Sequence, residues 1–399
     1  MDLNKNNLIL FLVLLISTFG ISQTKQIIIV DELTNEPVEG VHLLYANLEE
    51  GSYTNDDGVA NIILREEALT ISHLNYQDLT IPPKEIELLS TIVLKPDDVQ
   101  LDEVVVNSFN LKKALQYVLD NYYDLYVNYP TEKECSFKET LLVDNKIHRL
   151  ILSDLKIWTK DAGFNNRKLE KNIKLKLGTV SQNKNVPMAF DINDKGESNP
   201  ESSGHIITKS LLLNTYLDAA IAGFLKYSGM IEETVEVSSP DVIIVSFTTD
   251  WKNVNAIANR TKGKFVFDKK TKAVIEFIKE IELRNDIKKK TSSFSNKEYQ
   301  YETKSQVVSY NFTKKIDKKY SLSKLGIEAN VVLSLDDKNY NTNFKNNLFV
   351  LKETKKRRFG NNGIVDLEQP IYKMIPSNVI NSNAIVLTAK EKEFLESED

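Results

Sequence analysis

Two aspartates and an asparagine stand directly before a glycine in the stretch SYTNDDGVANI, and oxygen-bearing side chains at this spacing could bind calcium. An EF-hand loop places its glycine at position 6, oxygen ligands at positions 1, 3 and 5, and a glutamate at position 12. With Gly58 at position 6, Tyr53 falls at position 1 and Leu64 at position 12, so both key ligands are absent. Asn55 and Asp57 are residues that a turn selects, because Asx side chains bond their own backbone and glycine accepts a positive φ. We therefore predict a tight turn between two strands.

The histidines do not form a zinc motif. The four of them, His42, His73, His148 and His205, are far apart in sequence, and none is followed three residues later by a glutamate. The chain has no H-E-x-x-H motif, and its histidines and single cysteine do not have the spacing of a structural zinc site. We interpret each histidine as a strand or loop residue and predict no metal site.

Signatures of nucleophilic and phosphate chemistry are also absent. No G-x-S-x-G occurs, and Ser203 and His205 lie in a loop-like stretch without the strand, turn and helix that a nucleophile elbow needs. The stretch ANRTKGKF lacks the first glycine of a phosphate loop and the hydroxyl residue after its lysine. The acid pairs at 97–98 and 102–103 could act in acid/base catalysis only if burial shifted their pKa values, and their polar surroundings argue against that. No catalytic residue and no cofactor-binding residue is predicted.

The only cysteine, Cys135, has no partner for an internal disulfide. It alternates with polar residues in ECSFKETLLV, which indicates a strand. We interpret it as a small buried hydrophobic residue, with a reactive thiol as the alternative.

Two stretches are rich in basic residues. Residues 286–319 contain nine lysines against four acidic residues, and KETKKRRF at 352–359 adds a compact cluster. Peripheral contact with anionic lipid is one interpretation. The favoured alternative is a solvated strand face on which lysines protect exposed edges. The formal net charge of −5 gives no global reason to expect nucleic-acid binding.

The N-terminus has the features of a secretory signal peptide. Lys5 precedes the apolar run 8–16, and the small residues Gly20 and Ser22 suit cleavage before Gln23. The run is shorter than the roughly 20 residues that a spanning helix needs. We expect residues 1–22 to be removed on export, so that the protein is periplasmic, outer-membrane-associated or extracellular. No transmembrane segment is expected in the mature chain.

Short strands broken by turn residues fill 23–106 and predict a small all-β sandwich. A first group of residues fits the pattern D-x-x-T-x-E-P-x-x-G-V: Asp31, Thr34, Glu36, Pro37, Gly40 and Val41. A T-x-x-D-G turn follows at Thr54, Asp57 and Gly58, and the region closes with LDEVVV at 101–106. These motifs resemble those of the carboxypeptidase regulatory-like domain, a prealbumin-type β-sandwich of exported bacterial proteins. The chain departs from the family pattern S-x-x-G-Y at Asn75, a residue that also tolerates a positive φ.

The remaining chain predicts a larger α+β domain at 107–354 and an irregular charged segment at 355–399. Apolar residues at helical spacing predict helices near 111–126 and 211–225. GKFVFDKKTKAVIEFIKEIEL predicts a hairpin whose glutamates lie on a solvated face, and long antiparallel strands follow. The fold class is thus mainly β or α+β, with a curved antiparallel sheet packed on one or two helices. The hairpin is similar to those of bacterial lipoprotein-carrier (LolA-like) half-barrels.

These features favour a non-catalytic, exported binding or scaffold protein of the bacterial cell envelope, with an envelope protein or lipid as its partner. The alternative is a carrier or sensor of lipid or lipoprotein that uses a half-barrel cavity in the C-terminal domain. An enzyme whose site is assembled from scattered acids is a third class, which no motif supports.

Overall fold

A computed structural model describes residues 24–73, 75–96, 109–164, 169–197, 208–238, 241–254, 256–369, 371–374 and 386–397. The protein is mainly β, with 54% strand and 17% helix, a large antiparallel sheet and few helices, as the sequence predicts. The chain forms two compact units, one comprising 1–45 and 52–96, the other 46–51 and 97–399. The expected signal peptide and the LDEVVV stretch lie outside the described residues.

The smaller unit is built from short strands in two sheets. Its elements are β1 (Thr24–Asp31), β2 (His42–Tyr45), β3 (Glu50–Tyr53), β4 (Val59–Ile63), β5 (Leu69–His73), β6 (Tyr76–Ile81), helix α1 (Pro83–Ile86) and β7 (Thr91–Leu94). The segment 46–51, which includes a 3-10 helix (Ala46–Leu48) and the start of β3, clusters with the larger unit. One sheet has the order β4-β1-β7, and β2 pairs with β5, which pairs with β6.

Alternation along β1 gives the smaller unit its core. Ile27 and Ile29 are fully buried, whereas Ile28 between them is 40% exposed, because neighbouring strand side chains point to opposite faces. Leu43 of β2 and Ile71 of β5, which belong to the second sheet, complete the same core. Asp31 forms the turn after β1, where its Oδ1 accepts bonds from the Leu33 and Thr34 amides at 2.7 and 2.8 Å.

The larger unit is dominated by long strands. They are β8 (Thr131–Val143), β9 (Lys146–Thr159), β10 (Ile173–Asn185), β11 (Ile231–Ser238), β12 (Val242–Thr249), β13 (Lys252–Val254), β14 (Ile257–Asp268), β15 (Val274–Arg284), β16 (Ile287–Thr291), β17 (Glu298–Lys314), β18 (Tyr320–Leu335) and β19 (Lys338–Lys355). The main sheet runs β11-β12-β14-β15-β17-β18-β19-β8-β9-β10, and all of its pairings are antiparallel. The small strands β13 and β16 pair with β14 and β17.

A row of apolar side chains crosses the inner face of this sheet. Phe265 pairs with Phe277, which pairs with Tyr310, and the Phe265 and Phe277 rings stack at 4.0 Å. Cross-strand pairs of this kind add roughly 0.2–1 kcal/mol each to strand pairing. The opposite face is polar, where Lys264 bonds Glu276 at 3.0 Å. The predicted hairpin with one solvated face is therefore confirmed.

Short helices cover part of the inner face. They are α2 (Leu111–Asp120), α3 (Tyr122–Leu125), α4 (Leu169–Asn172), α5 (Thr208–Leu213) and α6 (Leu217–Tyr227), with 3-10 helices at Ala189–Asp191 and Ile371–Met374 and a last helix, α7 (Ala389–Glu396). The Asn110 side chain caps α2 by accepting a bond from the Lys113 amide at 2.8 Å. Buried residues of α2 and α6, including Leu115 and Phe224, join the sheet in one core.

The structure differs from the sequence prediction at four places. Each predicted helix is two helices, since α2 and α3 part at Asn121 and α5 and α6 part at 214–216. Strand β10 has no counterpart among the elements predicted from the sequence, because lysines alternate with its apolar residues and give the segment a polar composition. Helix α7 lies in the segment expected to be irregular, and Thr388 caps it through the Glu391 amide.

None of the helices in the described parts of the chain is long and apolar enough to cross a lipid bilayer.

Candidate functional site

Side chains of the helices and the sheet pack against one another in one apolar core. Among the described residues, a partly open cavity of about 40 Å³ lies in this region, and its lining includes Lys133, Asp161 and Tyr216. A cavity needs roughly 10–15 Å³ for each water, whereas ligand pockets usually measure about 300–1,000 Å³. The cavity therefore has room for a few waters. A lipid carrier with its cargo in this space stays a prediction that the packing does not favour.

An open groove lies at the other end of the sheet, where three hairpins turn. We call it the turn-end groove, and it consists of two hollows of about 570 and 280 Å³. Strand β16 and the β18–β19 turn line the larger hollow, and the β8–β9 turn and the segment 187–190 line the smaller one. Leu335 contributes to both hollows, so they adjoin.

Asx residues determine the geometry of two of these hairpins. Asp144 and Asn145 both have positive φ, at 47° and 65°, and Asp336 and Asp337 have φ of 48° and 60°. Two-residue turns with positive φ at both positions match the right-handed twist of the strands, and Asp and Asn tolerate that conformation. The Asp144 side chain also accepts a bond from the Asn341 amide at 2.9 Å, which holds the two turns side by side.

A pair of stacked aromatic rings stands between the hollows. Phe190 of the 3-10 helix and Tyr299 of β17 stack with their centroids 4.5 Å apart and an interplanar angle of 14°. The Ser295 hydroxyl donates a bond of 2.7 Å to the Phe190 carbonyl, which fixes the 3-10 helix against the β16–β17 turn. Met188 and Leu333 pack in the same apolar cluster. The groove thus has a rigid apolar floor.

Asp191 lies beneath this floor with its side chain fully buried. Its carboxylate accepts a bond from the Met188 amide at 3.1 Å. Burial raises the pKa of the Asp191 carboxyl to about 6, although the Met188 bond and nearby Arg149 oppose the shift. The arrangement closes the 3-10 helix on itself and has no access to a substrate.

The rim of the groove carries charges of both signs. Lys146 and His148 border the smaller hollow, and Lys289, Asp336 and Asp337 border the larger one. Burial lowers the pKa of His148, so it is neutral at pH 7. An apolar floor with a mixed rim resembles the core and rim of a protein-binding surface. A polyanion would select a rim of one sign.

The residues considered from sequence do not converge on this groove, with the exception of His148. Cys135 is buried on β8, and burial raises the pKa of its thiol to about 12. His42 stacks on Tyr53 at 4.5 Å, and burial lowers its pKa to about 4. His73 contacts the Tyr76 ring edge-on. The other candidates lie outside the described residues: Asp97, Asp98, Asp102, Glu103, Ser203 and His205.

The asparagine–aspartate stretch forms the predicted turn. Asn55 Oδ1 accepts bonds from the Asp57 and Val59 amides at 3.0 and 2.9 Å, and Gly58 has a φ of 70°. Within the residues searched, no group of three or more His, Cys, Asp or Glu side chains could hold a metal ion.

Most lysines of the basic stretch 286–319 have partners. Lys304 pairs with Glu302 at 2.7 Å, Lys314 lies 3.6 Å from Asp268, and Lys315 is buried in an ion pair. All five residues of β16 are exposed, and they include three lysines. Of these three, Lys288 pairs with Asp286 at 3.2 Å, whereas Lys289 and Lys290 line the larger hollow of the turn-end groove.

The groove could not be found from sequence, because its floor comes from residues far apart in the chain. No protein-family model matches the chain, and no curated protein matches it.

Proposed function

We propose that this protein is a non-catalytic, exported binding or scaffold protein of the bacterial cell envelope, and that its larger unit binds a partner in the turn-end groove. The observation that carries the proposal is the open groove, whose larger hollow measures about 570 Å³, whereas the cavity found among the described residues of the interior measures about 40 Å³.

The export part of the proposal comes from the sequence. The run 8–16 has the pattern of a signal peptide, and the motifs of 31–58 resemble those of carboxypeptidase regulatory-like domains of exported proteins. The Asp31 and Asn55 turns give these motifs a structural reason, since each side chain caps the backbone amides that follow it.

The surface of the groove suits a polypeptide partner. The partly exposed Tyr299 ring supplies an apolar contact that the buried Phe190 and Leu335 support from beneath. Aromatic anchors of this kind contribute a large share of binding energy in protein interfaces. Charged residues of both signs at the rim can pair with a polypeptide without selecting for a single charge. Anionic lipid at the exposed lysines of β16 is the second partner class consistent with the sequence.

Site-specific photocrosslinking in the producing cells tests the groove. A photoreactive amino acid is placed at Asn339 in the larger hollow, at Lys146 in the smaller one, and at exposed Lys270 in the β14–β15 turn at the opposite end of the sheet. We expect one defined adduct from both groove positions and none from Lys270. A Tyr299→Ala background, which removes the aromatic stack, should weaken the adduct several-fold.

Identical adducts at all three positions, or adducts at Lys270 alone, would contradict the groove. Adducts that contain lipid and no protein would move the assignment to the lipid class.

A further inference from the structure

Strand β16 has one unpaired edge. It pairs with β17 alone, in the register Ile287–Glu302 to Thr291–Glu298. Strand β14 begins at Ile257, and its ladder with β15 ends at Arg284, before β16 begins. Within the described residues, no strand lies against the other side of β16.

Two hydrogen bonds show which backbone groups face that edge. The Thr303 amide donates to the Asp286 carbonyl at 3.2 Å, and the Ser292 amide donates to the Lys297 carbonyl at 2.9 Å. In an antiparallel ladder, residues alternate between those bonded to the partner strand and those whose amide and carbonyl point away. Even-numbered residues of β16 therefore bond β17, and Ile287, Lys289 and Thr291 present their backbone groups to the open edge.

The side chains of β16 give the edge a positive charge. Lys288 and Lys290 lie over the Tyr301 ring, at 5.7 and 5.3 Å from its centroid. The ring holds both cations on one face of the sheet. Lys289 and Lys290 also line the larger hollow, so that the open edge and the groove are continuous.

Strand β10, at the far edge of the same sheet, has backbone partners on its outer side. At β10, the Val365 amide donates to the Leu175 carbonyl at 3.1 Å, and Ile364 forms a bridge with Lys176. The chain itself covers that edge near Leu175 and Lys176, whereas β16 offers three amides and three carbonyls beside a hollow.

We propose that β16 binds an extended, acidic polypeptide segment of an envelope partner by strand addition along its open edge. Main-chain hydrogen bonds to Ile287, Lys289 and Thr291 would supply affinity. A carboxylate opposite Lys290 would supply selectivity, since Lys288 already pairs with Asp286 at 3.2 Å. This inference rests on the proposed binding function and names its partner class. The competing explanation, that these lysines only protect an edge, predicts that no strand binds.

The test measures fluorescence anisotropy of a labelled octapeptide of alternating threonine and glutamate, titrated with the purified protein. The same peptide N-methylated at every residue keeps all its charges and loses every backbone donor. We expect the N-methylated peptide to bind more than tenfold more weakly, because strand addition depends on main-chain bonds. The affinity of the unmodified peptide should fall as salt is raised.

Three variants distinguish the contribution of backbone hydrogen bonds to binding from the contribution of the lysine charges. Lys289→Pro removes the outward amide, and proline is tolerated where the missing donor faces away from the ladder. Lys289→Ala is its matched control, since it loses the same side chain and keeps the amide. We expect Lys289→Pro to bind more than tenfold more weakly than the original protein. Lys289→Ala should bind only about two- to fivefold more weakly, because it loses one charge and no backbone donor. Lys290→Gln should weaken binding about two- to fivefold, the value of one cross-strand charge pair.

Equal binding of the two peptides, or unchanged binding by a folded Lys289→Pro variant, would overturn the proposal. If Lys289→Pro fails to fold, the N-methylated peptide and Lys290→Gln decide the question. Association with phosphatidylglycerol vesicles that Lys290→Gln weakens and Lys289→Pro leaves unchanged would assign the lysines to lipid. Self-association that Lys289→Pro abolishes would assign the edge to a second copy of the chain.

The photocrosslinking experiment shows whether a negative peptide result contradicts strand addition alone or the binding function as well. If the acidic peptide does not bind but Asn339 and Lys146 still give a defined protein adduct, the strand-addition proposal fails and the binding function stands.

Discussion

Replacing Glu353 by glutamine should destabilise the larger unit strongly. The Glu353 carboxylate lies between two ammonium groups, 2.9 Å from Lys133 Nζ and 3.0 Å from Lys315 Nζ, and all three side chains are at most 10% exposed. Lys315 has a second partner in Glu49, at 2.7 Å. Among the described residues, Lys133 also donates a hydrogen bond to the Thr131 hydroxyl, at 3.1 Å. Glu353→Gln therefore leaves Lys133 as a buried cation without a carboxylate.

The pKa of Glu353 gives the size of the effect. Burial alone would raise the pKa of this carboxyl, but the charges of Lys133 and Lys315 overcome burial and hold it at about 2, against an ordinary value of 4.5. Each tenfold change in proton affinity corresponds to about 1.4 kcal/mol, so the ionised carboxylate stabilises the fold by ~3 kcal/mol. Breaking a buried ion pair from one side costs roughly 3–5 kcal/mol, which agrees.

The pH dependence follows from the direction of the shift. A carboxyl whose folded pKa is depressed contributes stability that is complete above its unfolded pKa and is lost as the pH falls toward the folded pKa. The difference between the original protein and Glu353→Gln should therefore be largest above pH 4.5 and shrink as the pH falls toward 2.

Urea unfolding followed by tryptophan fluorescence measures this difference. Both tryptophans, Trp158 and Trp251, lie in the larger unit, so the signal reports that unit alone. Glu134→Gln is a matched control, because Glu134 pairs with Lys156 where both side chains are 49% exposed, and a surface pair contributes about 0–1 kcal/mol. If the two variants shift the free energy of unfolding equally at pH 7, the buried network does not stabilise the fold as argued.

Three further outcomes are expected. Gly58→Ala should destabilise the smaller unit by more than about 1 kcal/mol in thermal unfolding, since φ is 70° and a Cβ would lie 2.6 Å from the Ile29 carbonyl oxygen; unchanged unfolding would contradict the turn geometry. The Cys135 thiol should react with a maleimide at pH 7 only after unfolding, because burial raises its pKa to about 12; rapid labelling of the folded protein would contradict its burial. Burial raises the pKa of Asp191 to about 6, so the free energy of unfolding of the original protein should fall as the pH rises from 4 to 6. In urea unfolding, Asp191→Asn should remove this dependence on pH. Parallel pH profiles for the two proteins would contradict the shift.

Local chemistry made much of the fold predictable from the sequence. Neighbours within a few residues determine the Asx and glycine turns and the burial of Cys135. They also determine which side chains of β14 and β15 face the core and which face solvent. The sequence does not predict strand β10, because lysines occupy alternate positions and hide the apolar face of the strand. The helix breaks at Asn121 and 214–216 were missed because apolar spacing continues across them.

The groove lay beyond prediction for a different reason. Its aromatic stack joins Phe190 and Tyr299, which belong to a 3-10 helix and a strand in separate parts of the chain. No spacing rule connects such residues, since only the register of β17 and the Ser295 bond to the Phe190 carbonyl bring them together. Similarly, the partners of Lys133 and Lys315 meet only once β8 and β19 pair.

The lysines of the basic stretch 286–319 have different environments in the fold, which their sequence does not indicate. By sequence, its lysines are equivalent, and an excess of positive charge suggests an anionic surface. In the fold they separate, because Lys315 is buried beside Glu353 and Lys304 pairs with Glu302, whereas Lys289 is exposed on the open edge of β16. Charges already neutralised by carboxylates add little to the attraction of a membrane. Lys289 and Lys290 lie beside the outward-facing backbone groups of β16, and the strand partner proposed above would match both by being acidic and extended.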